Sequence, residues 1–123
     1  MKRIALVEDN PDNRLLARAI LEELYEIVEY ESGLDALEGM RSSVPELVLL
    51  DISLPVMDGT EVLRRIRQDD ALRTLPVIAL TAHAMTGDRD RYLAMGFDAY
   101  VTKPIIDERV LLREIERLLQ HGT

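Results

Sequence analysis

The sequence has 123 residues, a length that suits one domain built around a single hydrophobic core. It contains no cysteine, which excludes disulfides and thiolate metal sites, and its opening apolar run, 4–7, is too short for a signal peptide or a membrane span. The formal net charge of −8 argues against nucleic acid as a direct partner, because such binding depends on Lys and Arg. We therefore expect a cytoplasmic protein with no membrane contact.

Short β-rich runs alternate with longer helical patterns from the beginning of the chain. The run 2–7 predicts a buried strand, and Pro11 then opens a helix, because proline is tolerated in a first helical turn. Leu16, Ile20 and Leu24 recur at helical spacing along this helix.

The middle of the chain repeats this strand-helix order. A shorter strand is predicted at 27–31, and Ser32 is a good N-cap for a helix through about Met40. A third strand is predicted at 46–51, where the continuous apolar run between Glu46 and Asp51 is typical of a strand that is covered on both faces. After a loop, Asp58 can cap a third helix. Its apolar residues are Val62, Leu63 and Ile66.

Two more strand-helix pairs complete the chain. A fourth strand is predicted at 76–80, followed by a helix that Thr86 caps and that stops at Gly96, a residue suited to a left-handed helix end. The fifth strand is predicted at 99–102 and the closing helix at 107–120. Its apolar residues Leu111, Ile115 and Leu118 lie on one face.

Five such pairs predict an α/β fold, a flavodoxin-like (βα)5 domain with a five-stranded parallel sheet in the order 2-1-3-4-5 and helices on both faces. A Rossmann dinucleotide fold needs a glycine-rich turn after its first strand. Here that turn, 8–12, contains no glycine, which excludes the usual phosphate cradle.

Polar residues follow the predicted strands at one edge of this sheet. Glu8 and Asp9 end the first strand, Asp51 the third and Thr81 the fourth, and the fifth leads to Lys103. Ligands bind at this carboxyl edge, near the point where the strand order reverses.

Each of these residues also has an ordinary interpretation when taken alone. Asp9 can cap a helix, Asp51 can cap a loop, Glu8 can be a solvated turn residue, Thr81 a simple strand end and Lys103 a surface lysine. Together they are harder to explain in this way, because three carboxylates packed closely repel one another unless a positive charge sits among them.

A hard divalent cation would neutralise this acidic cluster. Mg²⁺ prefers oxygen ligands and is commonly held by carboxylates together with phosphate oxygens. A carboxylate such as Asp51, beside Mg²⁺ and the ammonium of Lys103, is a plausible nucleophile towards phosphorus, with the Thr81 hydroxyl as a third contact.

The whole chain, about residues 2 to 120, resembles the receiver domain of two-component response regulators (CheY-like). The resemblance rests on Val-Glu-Asp-Asn at 7–10, Leu-Asp-Ile-Ser-Leu-Pro-Val-Met-Asp-Gly at 50–59, Thr-Ala-His-Ala at 81–84 and Lys-Pro at 103–104. Each motif stands at a predicted strand end. The first and third motifs most resemble stand-alone regulators of the cell-division type and the receiver domains of hybrid histidine kinases.

This resemblance implies a role for each site residue. Asp51 is then the phosphoacceptor, and Glu8 and Asp9 hold Mg²⁺, together with Asp51 and the backbone carbonyl of Ser53. Thr81 hydrogen-bonds the phosphoryl group and Lys103 pairs with it.

The resemblance also implies a switch and a cis peptide. Tyr100 stands where the family places an aromatic that rotates between outward and inward states when Thr81 moves towards the phosphoryl group. The Lys103–Pro104 bond is expected to be cis. His83 and Ser53 occupy positions that tune the lifetime of the phosphoryl group, and His83 can equally be a solvated loop residue.

The resulting expectation is a single receiver domain over 1–123, without an output domain. It takes a phosphoryl group from a histidine kinase or a histidine phosphotransfer protein. It then controls a protein target through its fourth helix, fifth strand and fifth helix, with a homodimer formed on phosphorylation as a further expectation. It is not an enzyme with an external product.

Two alternatives remain open at this point. A Mg²⁺-dependent phosphohydrolase would use the same aspartyl-phosphate chemistry, but such enzymes often carry a second Asp where this chain has Ser53. A degenerate receiver would bind partners without phosphorylation, although it would not need the complete acid, threonine and lysine set.

Overall fold

The computed structural model describes residues 1–82, 88–103 and 108–121. The described elements follow one another as alternating strands and helices: β1 (Arg3–Val7), α1 (Pro11–Leu21), β2 (Glu26–Tyr30), α2 (Gly33–Ser42), β3 (Leu47–Asp51), α3 (Gly59–Gln68), β4 (Val77–Thr81), α4 (Asp88–Met95), β5 (Ala99–Thr102) and α5 (Glu108–His121). The predicted flavodoxin-like fold is confirmed: every pairing is parallel, and the strand order is β2-β1-β3-β4-β5.

The helices cover both faces of the sheet, and one apolar cluster lies between the helices and the sheet on each face. One cluster joins α2, α3 and α4 to the sheet, and the other joins α1 and α5 to the opposite face. Because β3 is covered on both sides, all five of its residues are buried, as its continuous apolar run predicts. Within the described ranges, no helix is both long enough and apolar enough to cross a lipid bilayer.

Side-chain caps begin three of the described helices, and the two predicted caps Ser32 and Asp58 are confirmed. The side chain of Asn10 accepts hydrogen bonds from the backbone N–H groups of α1, so Asn10, not Asp9, is the N-cap there. Ser32 caps α2 and Asp58 caps α3 in the same way. The predicted cap of α4, Thr86, lies outside the described residues.

The buried face of α1 differs from the one that its leucine spacing marks. Ala17 and Leu21 are the buried residues of this helix, whereas Leu16 is exposed and Leu24 lies beyond the helix end with 56% of its surface exposed. Ala17 is small, and a pattern of large apolar residues does not reveal a buried alanine.

Arg67 ties α3 to the C-terminal end of α4. Its Nη1 donates to the carbonyl oxygens of Arg73 (2.9 Å) and Leu75 (2.7 Å), and its Nη2 donates to the carbonyl oxygen of Gly96 (2.8 Å) and to Asp98 Oδ2 (3.1 Å). Gly96 has a φ of 113°, a conformation that glycine adopts without strain, which confirms its predicted place past the helix end. One guanidinium thus satisfies three loop carbonyls.

Replacing Arg67 with methionine is expected to lower the free energy of unfolding by about 2 kcal/mol, because three backbone carbonyls lose a charged donor. Arg65→Met is the matched control on the same helix, since Arg65 pairs with Glu61 at the surface, and an exposed pair contributes less than about 1 kcal/mol. Urea denaturation of both variants measures the difference. Equal losses would contradict the importance of the Arg67 bonds.

Candidate functional site

Three carboxylates meet at the carboxyl edge of the sheet. One oxygen from each of Glu8, Asp9 and Asp51 lies within 4.8 Å of the other two. Glu8 and Asp51 are each only 1% exposed, whereas Asp9 faces solvent. The interpretation of Glu8 as a solvated turn residue is therefore wrong. Adjacent parallel strands bring these residues together, because β1 and β3 are neighbours in the sheet and end at the same edge.

Lys103 places an ammonium among these acids from the end of β5. Its Nζ lies 3.0 Å from Glu8 Oε1 and 2.9 Å from Asp51 Oδ1. The backbone N–H of Lys103 also donates to the carbonyl oxygen of Thr81 at 2.7 Å, which fixes the residue beside β4. The lysine is therefore an internal counter-charge, not a surface side chain.

The two buried acids and the lysine change one another's ionisation. Burial is the largest effect on Glu8 and, together with a hydrogen bond to Asp51, raises its pKa from 4.5 to about 7, although Lys103 opposes this shift. Burial opposes the charge on Lys103 as well, but its bonds to Asp51 and Glu8 outweigh burial and raise its pKa above the ordinary value. The Lys103 ammonium thus pairs with two carboxylates, and the carboxylate of Glu8 is readily protonated.

Backbone and side-chain donors hold the two buried acids in place. The N–H of Asn10 donates to Glu8 Oε2 at 3.3 Å, and the N–H of Ser53 donates to Asp51 Oδ1 at 3.0 Å. The predicted loop-capping role of Asp51 thus coexists with its contact to Lys103. Arg14 on α1 supports the first loop, because its Nη1 donates to the carbonyl oxygens of Glu8 (2.9 Å) and Asp9 (3.1 Å).

The loop after β3 returns to pack against the Asp51 backbone. Gly59 donates its N–H to the carbonyl oxygen of Ile52 at 2.9 Å, and a Cβ added at Gly59 would overlap the carbonyl oxygen of Asp51. Before that contact, the N–H of Met57 bonds the carbonyl oxygen of Pro55 at 2.7 Å around Val56, whose φ is 67°. Val56 is fully exposed, and its left-handed conformation is strained for a β-branched residue. The residue types around position 56 do not predict this conformation.

The remaining predicted residues lie on β4 and β5. Thr81 is 1% exposed, and Tyr100 is half-buried against the cluster that joins α2, α3 and α4 to the sheet. Tyr92 of α4 contacts both: its hydroxyl lies 3.3 Å from Thr81 Oγ1, and its ring centroid lies 6.2 Å from that of Tyr100. The predictions for His83 and for the cis bond at Pro104 lie outside the described residues.

Sequence reasoning missed two residues that contact the site. Neither Tyr92 nor Arg14 belongs to a local motif, because each reaches the site across a fold-level contact. The one available signal for Tyr92 is its place directly after four charged residues at the start of α4, where an aromatic predicts a buried anchor.

The donor set of the acidic cluster fits a magnesium ion. Glu8, Asp9 and Asp51 offer carboxylate oxygens, which Mg²⁺ prefers, and no histidine or cysteine belongs to the described cluster. Asp9 faces solvent, so an ion there would keep water ligands, as Mg²⁺ usually does. Three carboxylates share one ammonium here, so negative charge remains for a cation to compensate even when Glu8 is protonated.

Comparison with known proteins agrees with this geometry. Residues 4–116 match the family model of the response regulator receiver domain. The polar-differentiation response regulator DivK of Brucella anthropi is 45% identical over 105 residues, which are 85% of this chain and 85% of that protein.

Solved structures agree as well. The receiver domain of sensor histidine kinase PA1611 from Pseudomonas aeruginosa has a TM-score of 0.87 and 36% identity, and the match covers 97% of this chain and 98% of that one. That structure holds a magnesium ion coordinated in its active site cleft. The signal receiver domain of a signal transduction histidine kinase from Syntrophus aciditrophicus has a TM-score of 0.87 and 34% identity, with coverage of 98% and 92%.

The chain therefore belongs to the response regulator receiver domain family, whose members are signalling switches of two-component systems.

Proposed function

We propose that this chain accepts a phosphoryl group on Asp51 from a histidine kinase or a histidine phosphotransfer protein and switches conformation to control a protein partner. The observation that carries the proposal is the position of Asp51, which is buried, 2.9 Å from Lys103 Nζ and in one acidic cluster with Glu8 and Asp9. A carboxylate held in this way is suited to nucleophilic attack on phosphorus.

In the proposed transfer, a carboxylate oxygen of Asp51 forms a bond to phosphorus while the phosphorus–nitrogen bond of a phosphohistidine breaks. The bonding electron pair returns to the imidazole nitrogen of the donor. Lys103 compensates negative charge on the phosphoryl oxygens, and the Thr81 hydroxyl donates a hydrogen bond to one of them. Such positioned charges account for most of the catalysis in phosphoryl transfer.

Magnesium is the proposed cofactor, held by Glu8, Asp9 and Asp51 together with the backbone carbonyl of Ser53. When bound, it supplies positive charge that neutralises the phosphoryl oxygens. The N–H of Ser53 already bonds Asp51 Oδ1 at 3.0 Å, which keeps this loop close to the carboxylate.

The proposed switch couples Thr81 to Tyr100. Phosphorylation draws the Thr81 hydroxyl towards Asp51, and the Tyr100 ring then turns into the vacated space and repacks the face formed by α4, β5 and α5. This is a local charge change that biases a two-state element. If the Tyr100 ring had the same orientation in unphosphorylated and phosphorylated protein, this part of the proposal would be wrong.

The proposed partners follow from the same scheme. A histidine kinase or a phosphotransfer protein delivers the phosphoryl group in the cytoplasm, and a downstream protein binds the face of α4, β5 and α5. A homodimer through this face on phosphorylation belongs to the same proposal. The chain assists only its own phosphorylation and dephosphorylation.

Intact-mass analysis tests the proposal directly. Incubation with acetyl phosphate and Mg²⁺ is expected to add the mass of one phosphoryl group to the wild-type chain, whereas Asp51→Asn should gain none because an amide is not a nucleophile towards phosphorus. EDTA should suppress the gain in the wild type. An equal mass gain in Asp51→Asn would place the phosphoryl group elsewhere.

Two further outcomes would favour the alternative functions. A wild-type chain that stays unmodified with Mg²⁺ present would indicate a receiver that works without phosphorylation. Multiple turnover of a generic phosphomonoester would indicate a phosphohydrolase. Such an enzyme would work with Ser53 at the position where a second aspartate is often found.

A further inference from the structure

Tyr92 connects α4 to the threonine of the proposed switch. Its side chain is 2% exposed, and its hydroxyl oxygen lies 3.3 Å from Thr81 Oγ1. Arg91 Nη2 also donates to the Tyr92 hydroxyl at 3.3 Å. The ring packs edge-on against Phe97, with 6.0 Å between centroids, and lies 6.2 Å from Tyr100.

We propose that Tyr92 is a positioning residue that holds Thr81 in its unphosphorylated arrangement, so that the Tyr92 hydroxyl competes with the phosphoryl group for Thr81. This inference rests on the proposed phosphorylation of Asp51. It adds an α4 residue to the switch and makes the ease of switching depend on one hydroxyl group.

The competition follows from the hydrogen-bond distances. An O–H···O bond is normally 2.5–3.0 Å long, so the Thr81–Tyr92 bond at 3.3 Å is already long, and a small shift of Thr81 towards Asp51 breaks it. A charged phosphoryl oxygen is a stronger acceptor than a neutral hydroxyl. The phosphoryl group therefore replaces Tyr92 as the partner of Thr81. Because the Thr81–Tyr92 bond must first break, the apparent affinity of the site for a phosphoryl group or its mimic is reduced.

The Tyr92 hydroxyl keeps a partner when Thr81 leaves. Arg91 Nη2 still donates to it, so the buried hydroxyl does not become an unsatisfied polar group. Because the Tyr92 and Tyr100 rings are in contact, a movement of either ring changes the packing of the other. Tyr92 thus contacts both residues of the proposed switch, and α4 responds to the state of Thr81 through it.

Tyr92→Phe tests the proposal, because it removes the hydroxyl and keeps the ring. We expect beryllium fluoride, a phosphoryl mimic, to half-saturate the variant at an about two- to fivefold lower concentration than the wild type in the presence of Mg²⁺, as removal of one long hydrogen bond from the free state implies. The Thr81 amide resonance reports the titration. In the ligand-free variant, that resonance should already move towards its position in the bound wild type.

Two comparisons separate this role from simple packing. Tyr25→Phe is the matched control, since Tyr25 is a half-buried tyrosine just before β2, at the opposite edge of the sheet, and it should leave the affinity unchanged. In a Thr81→Val background, Tyr92→Phe should have no effect, because valine has no hydroxyl to be held.

An unchanged or weaker affinity of Tyr92→Phe would overturn the proposal, and so would the same shift in the Thr81→Val background. If the wild type itself bound no beryllium fluoride and gained no phosphoryl mass, the proposed phosphorylation and this inference would both fail. Binding by the wild type with no change in Tyr92→Phe would overturn the tyrosine role alone.

Discussion

Gly59→Ala is expected to lower the free energy of unfolding by about 3 kcal/mol, at the upper end of the usual cost of overpacking, and to slow phosphorylation of Asp51 by about tenfold or more. The added Cβ would overlap the carbonyl oxygen of Asp51 and lie 2.8 Å from the Cα of Ile52. Both neighbours are backbone atoms and cannot rotate away. The end of β3, which carries the proposed phosphoacceptor Asp51, must therefore shift.

Gly39→Ala is the matched control for this substitution. Its added Cβ would meet the end of the Tyr30 side chain, which is able to rotate, and alanine is favoured over glycine inside a helix such as α2. We expect a smaller loss of stability and a normal rate of phosphorylation. Urea denaturation and timed intact-mass measurements with acetyl phosphate give the two quantities, and equal rates in both variants would contradict the role given to Gly59.

Stability of the protein in EDTA is expected to fall by about 3 kcal/mol as the pH rises from about 4.5 to about 7. The cause is Glu8, whose pKa is raised from 4.5 to about 7 in the folded chain, mainly by burial and then by Asp51. Below pH 4.5 the residue is protonated in both states, so its full contribution is present. Between pH 4.5 and about 7, Glu8 keeps its proton in the folded chain and releases it in the unfolded chain. The contribution of Glu8 to stability is therefore lost across this pH range.

Glu8→Gln isolates this effect, because glutamine cannot ionise. The difference in unfolding free energy between wild type and variant should change across the window and level off above pH 7. Other carboxylates titrate below pH 4.5 because hydrogen bonds lower their pKa. Thr60 has this effect on Asp58, and Arg64 and Arg65 have it on Glu61. Parallel pH profiles for the two proteins would show that Glu8 does not titrate in this way.

Much of the fold follows from local sequence signals. Continuous apolar runs predict strands covered on both faces, and the N-caps Ser32 and Asp58 mark where α2 and α3 begin. The order of five strand-helix pairs then limits the sheet to few topologies, and the observed one is among them. The approximate strand ends suffice to predict which polar residues share an edge.

The energetics of the site were harder to predict, because they depend on contacts between distant parts of the chain. Glu8 is buried since β3, β5 and the loop to α1 enclose it, and nothing in its own neighbourhood indicates this. Arg14 and Tyr92 reach the site only after α1 and α4 have packed against the sheet. The left-handed Val56 breaks the usual preference of its own residue type.

The span of chain between the charged partners links signalling to folding. Glu8 and Lys103 are 95 positions apart, and Asp51 stands between them on the central strand. Closing a loop of this length costs chain entropy, so the contact depends on the assembled sheet that holds both residues in place. A nascent or damaged polypeptide that has not yet docked its fifth strand therefore lacks the Lys103 ammonium beside the carboxylate of Asp51. Under the proposed function, such an incomplete molecule would take up the phosphoryl group poorly, so the topology itself would restrict signalling to intact molecules.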